Sequence, residues 1–115
     1  MRYQIDYEKG IVNRGNLFRM KELMKKAANG EKLVLGFLGG SITQGCLSST
    51  PETCYAYHVF EWWKKQFPEA EFEYVNAGIG GTTSQFGVAR AQSDLLSHKP
   101  DFVIVEFSVN DDSTE

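Results

Sequence analysis

The stretch Leu33-Val34-Leu35-Gly36-Phe37-Leu38-Gly39-Gly40-Ser41-Ile42-Thr43 carries a continuous apolar run straight into two glycines and a serine. An unbroken run of this kind fits a strand buried on both faces of a parallel sheet. The turn that ends it sets a small hydroxyl at the carboxyl end of the strand, where open α/β sheets bind their ligands. Glycines there allow close backbone approach and unusual φ values, leaving N–H groups to face an anion. Two chemistries fit such a turn: a nucleophilic serine, or a loop that cradles a phosphate.

The pattern on either side extends the α/β reading. Asn13-Arg14-Gly15 is a turn signal, and Asn16 suits the N-cap of a helix over 17–28, with Leu17, Met20, Leu23, Met24 and Ala27 on one face. Asn29-Gly30 supplies its stop. Beyond the polar loop 47–53, a helix is predicted over 55–66 with Tyr55, Val59, Trp62 and Trp63 facing inward. A second short strand over 72–76 enters another glycine turn, Ala77-Gly78-Ile79-Gly80-Gly81-Thr82-Thr83, followed by a helix over 85–97. Lys99-Pro100 stops that helix, and the third strand, 102–107, leads to Ser108-Val109-Asn110-Asp111. Strands alternating with helices imply right-handed βαβ units and a parallel sheet. The loops carrying Ser41, Gly81 and Asn110 then share one edge of that sheet.

Composition sets the bounds. A chain of 115 residues is one domain at most, and 42% hydrophobic with 23% charged residues describes an ordinary globular protein. A net charge of −3 leaves no electrostatic footprint for nucleic acid or an anionic membrane. Lys25-Lys26 and Lys64-Lys65 read as solvated helix faces. The opening residues, Met1 to Lys9, hold no apolar core of signal-peptide length, and no apolar run approaches the about 18 residues of a membrane span. The expected location is cytoplasmic. Cys46 and Cys54 form no CxxC pair and have no histidine partner, so free thiols are expected, with no metal site and no cofactor.

Acyl transfer needs a nucleophile, a base, and N–H donors aimed at the oxyanion of the tetrahedral intermediate. Ser41 can be the nucleophile and give its own backbone N–H, Gly81 a second backbone N–H, and Asn110 its side-chain amide. Each has a plainer role when taken singly. A serine after a strand caps a helix, a glycine pair makes a turn, and Asn-Asp bends a loop. Their recurrence at three successive strand ends points to a built site.

The blocks Gly39-Gly40-Ser41-Ile42-Thr43-Gln44-Gly45, Asn76-Ala77-Gly78-Ile79-Gly80-Gly81-Thr82-Thr83-Ser84 and Glu106-Phe107-Ser108-Val109-Asn110-Asp111 resemble, in order, three blocks of the SGNH hydrolases, or GDSL-type esterases and lipases. The resemblance runs from near Asn16 to the end of the chain. It implies a three-layer αβα sandwich with a flavodoxin-like parallel sheet, of which about three strands are present. It also implies a catalytic set of Ser41 as nucleophile with Gly81 and Asn110 as oxyanion donors. The wording Gly-Gly-Ser-Ile-Thr is similar to that of carbohydrate esterases removing acetyl groups, so the implied substrate is a small-molecule or carbohydrate ester. Two supporting positions depart from the family pattern: Gly40 stands where an Asp is usual, and Ser108 where a Gly is usual. The family's loop-bracing Asp bond is therefore expected to be missing.

The family's fourth block, Asp-x-x-His, does not occur in residues 1–115. His58 falls in the predicted second helix and His98 at the entry of the third strand, opposite the edge that carries Ser41; neither matches the family's histidine. The chain thus looks like the N-terminal portion of one SGNH-like domain, with His and Asp supplied by the remainder of the domain or a second chain. A strand as apolar as 102–107 expects a neighbour on each side. Two other readings stay open at this level. One is a flavodoxin-like phosphate or nucleotide module, although no lysine precedes Ser41 and Thr83 replaces the third glycine of a dinucleotide loop. The other is a non-catalytic partner half.

Overall fold

A computed structural model describes residues 3–112. Strand β1 (Lys32–Gly39) lies between β2 (Glu71–Gly78) and β3 (Phe102–Glu106), and both pairings are parallel. Leu33, Leu35 and Phe37 are at most 1% exposed, and Gly36 and Leu38 on the opposite face are buried too. The unbroken apolar run is therefore buried on both faces, as expected of a central parallel strand. Helices α1 (Phe18–Ala28) and α3 (Tyr55–Gln66) pack through Ala27, Ala56 and Trp63 onto the Leu33-Leu35-Phe37 face. Helix α4 (Ser84–Asp94) and the residues after it pack Ala91 and Leu95 with Leu38 and Ala77 in a second core. Three layers result, in the αβα order that the family resemblance implies.

The first core is strongly aromatic. The Phe37 ring meets Tyr55, Tyr74 and Phe102 at centroid distances of 6.4, 5.5 and 6.5 Å. Trp63 meets Phe67, Phe72 and Phe102. Tilted and edge-on rings at such spacings add to the stabilisation from burial.

Several boundaries differ from the sequence reading. Asn16 accepts the Phe18 N–H at 3.0 Å, and α1 starts one residue beyond the predicted position, leaving Leu17 48% exposed. Trp62 is 45% exposed rather than inward, lying edge-on to the buried Trp63, while Ala56 takes the inner position. Strand β2 runs on to Gly78 because Ala77 and Gly78 continue the ladder against Leu38 and Gly39. Helix α4 stops at Asp94, short of the predicted 97, because Leu95 leaves helical geometry and buries its side chain against Gly36. A 3-10 turn, Leu96–His98, follows. Phe107 leaves β3 and packs its ring onto Gly87 of α4.

Among the described residues β3 is paired on one side only, and Val103 and Val105 are 39% and 60% exposed. No helix among the described residues is long and apolar enough to cross a membrane. Cys46 is exposed and Cys54 buried, both as free thiols.

Burial pushes the Tyr74 phenol up to about 12 and raises Tyr55 as well. The folded chain thus holds these protons more tightly than the unfolded chain, whose tyrosines titrate near 10. The resulting stability is complete below about pH 10 and is lost as pH rises through 12. Urea unfolding followed across this range should show midpoints falling from pH 10 upward, with a shallower fall in Tyr74→Phe.

Candidate active site

Parallel pairing places Gly39 opposite Gly78 on one side and Glu106 on the other, so three loops leave the sheet side by side. The first enters α2 (Ser41–Gln44), a single turn that sits directly on the strand ends. A Cβ at Gly78 would overlap the Gln44 backbone nitrogen, and one at Gly39 would stand 2.6 Å from the Glu106 carbonyl oxygen. Only glycine allows this approach, which decides how low the serine turn sits. Thr43, fully buried at 0% exposure, anchors it from below by a 2.7 Å hydrogen bond with the Tyr55 hydroxyl.

Polar side chains stitch the loops together. Asn76 donates to the Thr43 carbonyl and to Tyr74 Oη, both at 2.8 Å, and accepts the Gly78 N–H at 2.9 Å. Gln44 Oε1 accepts the Gly80 N–H at 2.7 Å. Gly40 N–H donates to the Glu106 carbonyl at 3.3 Å, and Ile79 N–H to the Gly39 carbonyl at 3.0 Å. Asp111 Oδ1 accepts the Ser84 N–H at 2.7 Å, tying the third loop to the start of α4.

Within this frame Ser41, the Gly80–Gly81 turn and Asn110 come together. The Cβ position of Gly80 lies 3.6 Å from Ser41 Cβ, and that of Gly40 lies 3.0 Å from Asn110 Nδ2. Asn110 Nδ2 donates one hydrogen to the Thr82 carbonyl at 3.0 Å, which fixes the amide and leaves its second hydrogen for another acceptor. Gly81 adopts φ +75°, a left-handed value suited to glycine, and is exposed. No hydrogen bond among the described residues engages the Gly81 N–H, the Ser41 N–H or Ser41 Oγ. His58 and His98 are both exposed, and neither bonds Ser41.

The two departures from the family pattern have local consequences. A side chain at Gly40 would press on Asn110 Nδ2, and the bracing expected to be lost there is provided by Asn76, Gln44 and the Gly40–Glu106 bond. The Ser108 hydroxyl and N–H both donate to Glu106 Oε1, the latter at 2.8 Å. Tyr55 and Tyr57 pack against Phe37, Phe60 and Tyr74. Phe86 is 51% exposed. A cavity of about 500 Å³ adjoins the site and shares Gln44, Asn76 and Gly78 with it, and Glu52 and Tyr57 also line it.

Gln44, Asn76 and Arg90 were missed by the sequence reading. Gln44 and Asn76 lie inside the quoted blocks, but amides there read equally well as ordinary turn residues. Arg90 lies inside a helix, with nothing local to mark it.

The parallel sheet and the serine turn on its carboxyl edge define the class: an α/β chain of the SGNH hydrolase type. The chain belongs to the GDSL-like lipase/acylhydrolase family, whose model matches residues 37–114. It is 35% identical over 95 residues to an acetylxylan esterase of Geobacillus stearothermophilus, covering 75% of this chain and 42% of that protein. It is 32% identical over 108 residues to thioesterase 1/protease 1/lysophospholipase L1 of Escherichia coli K12, covering 88% and 48%. Among solved structures, a two-domain esterase active on acetylated mannans, co-crystallised with mannopentaose, matches with a TM-score of 0.92 and 73% identity over 98% of this chain and 31% of that one. The Geobacillus acetylxylan esterase structure matches at TM-score 0.59 and 28% identity, covering 72% and 42%. The chain spans slightly under half the length of the curated relatives it matches.

Gly78→Ala is expected to destabilise the fold by about 1–3 kcal/mol, the usual cost of overpacking, because α2 cannot lift without breaking the Asn76 and Gln44 bonds. Urea unfolding checks the loss, and an unchanged midpoint would contradict the close approach.

Proposed function

We propose that the whole protein is an ester hydrolase that removes O-acetyl groups from a polysaccharide of the mannan or xylan kind. The convergence of Ser41, Gly81 and Asn110, with Ser41 Oγ, the Ser41 and Gly81 N–H groups and one Asn110 amide hydrogen unengaged among the described residues, carries this reading. Ser41 Oγ attacks the acetyl carbonyl carbon while a histidine takes its proton. The oxyanion is received by the Ser41 and Gly81 N–H groups and the second hydrogen of Asn110 Nδ2. The sugar hydroxyl leaves with that proton, and water then releases acetate from the acyl-serine. The likeness to esterases active on acetylated mannans and on acetylxylan supports the substrate class. The adjoining cavity of about 500 Å³ falls within the size range of small-molecule sites.

In this reading residues 1–115 form the N-terminal portion of one domain, and the histidine and aspartate come from the remainder of that domain. The half-open edge of β3 and the exposed Val103 and Val105 support it, as do the lengths of the relatives.

In the full-length protein, Ser41→Ala should abolish acetate release from acetylated mannan. Asn110→Ala should lower kcat by about 10²–10³, the usual loss for one oxyanion donor. Deacetylation at the wild-type rate by Ser41→Ala would end the proposal. The span 1–115 expressed alone should associate through the β3 edge, and a stable monomer in sedimentation would count against the remainder-of-domain reading.

A further inference from the structure

Beneath the two glycine turns lies a side chain that the proposed reaction leaves unused. Arg90, on α4, is 7% exposed, and Thr43 is the only other buried polar or charged residue among those described. Its Nη1 donates to the Ala77 carbonyl at 2.6 Å and its Nη2 to the Gly39 carbonyl at 3.1 Å. One guanidinium thus holds β2 just ahead of the Gly81 turn and β1 just ahead of Ser41. The Gly39–Gly40 peptide continues the connection, since its carbonyl takes Arg90 and its N–H donates to the Glu106 carbonyl at 3.3 Å. The ends of all three strands are therefore indexed to a single side chain. Hydrogen bonds chained in this way strengthen one another.

Stability alone gives little reason for the arrangement. Arg90 is paired among the described residues only with Asp94, at 3.4 Å, whose side chain is 41% exposed. Its buried Nε has no hydrogen-bond partner among the described residues. A buried cation with a donor unmet and a half-solvated counter-ion is disfavoured against an apolar side chain of similar volume. Local rules broken in this way concentrate at functional sites. The planar fork of arginine can reach two carbonyls at once, which a lysine cannot do.

We propose that Arg90 is a positioning residue for the ester hydrolase centre: it sets the spacing between Ser41 and the oxyanion donors of the neighbouring loops. This rests on the ester hydrolase reading. Arg90 does not line the cavity beside Gln44 and Gly78, so its loss is expected to lower kcat and to leave KM unchanged.

The test uses the full-length protein with p-nitrophenyl acetate and acetylated mannan as substrates. Ser41→Ala in an Arg90 background is measured first, and residual wild-type activity there would sink the ester hydrolase reading by itself. With that established, Arg90→Met and Arg90→Lys should each lower kcat by about 10–100-fold, as expected when reacting groups shift by about an ångström. KM should stay within twofold, and the folded fraction by circular dichroism should be unchanged for at least the lysine variant. In Arg90→Ala, 50 mM guanidinium chloride should restore kcat several-fold over the same concentration of sodium chloride. The proposal is overturned if the folded lysine variant keeps kcat within twofold of wild type. It is equally overturned if KM rises with kcat unchanged, or if guanidinium restores nothing.

Discussion

The register of β1 against its two neighbours is the constraint on which the site depends. Leu33, Leu35 and Phe37 bury one face of this strand and Gly36 and Leu38 the other, so it cannot slide or rotate without exposing core. With that register held, Gly39 stands beside Gly78 and Glu106, and the serine turn, the glycine turn and the asparagine loop emerge at one level. The hydrophobic core therefore does more than hold the chain together. It determines where three short polar loops meet.

How the loops meet is decided by a second, finer set of contacts. The absence of side chains at Gly39 and Gly78 lets α2 rest on backbone, and buried Thr43 fixes it to Tyr55. Amide side chains from Gln44 and Asn76 satisfy backbone groups that the turns would otherwise leave unpaired. Asn110 gives one hydrogen to Thr82 and is thereby aimed. Among the described residues Ser41 Oγ and the Ser41 and Gly81 N–H groups are left without hydrogen-bond partners, as the proposed acyl transfer requires. Rigid bonding of the neighbours and availability of the reactive groups are two sides of one arrangement.

Much of this was legible in the sequence. The unbroken apolar run at 33–38 marked the central strand, the helix at 55–66 was read to the residue, and three small-residue turns marked the shared edge. What escaped had a common physical cause, because it depended on tertiary contact. Helix α4 ends at Asp94 since Leu95 finds a berth against Gly36, a fact no local propensity encodes. Strand β2 takes in Ala77 and Gly78 since β1 continues opposite them, although in isolation those residues signal a turn. Trp62 and Trp63 are adjacent and equally apolar, and only the packing of α3 decides which is buried. Arg90 has the same character: its role comes from carbonyls on two strands remote in sequence from it.

The strand order β2-β1-β3 has a consequence for the chain as it is made. Of the three described strands, the first to be made becomes the middle of the sheet, and β2 and then β3 add to its two flanks. The serine turn can settle onto its two glycines as soon as β2 has emerged, since α2 rests on β1 and β2 alone for that contact. The asparagine loop joins later, when β3 docks on the free side of β1. Vectorial synthesis therefore brings these loops together outward from the serine turn, with β3 the last of the three strands to dock.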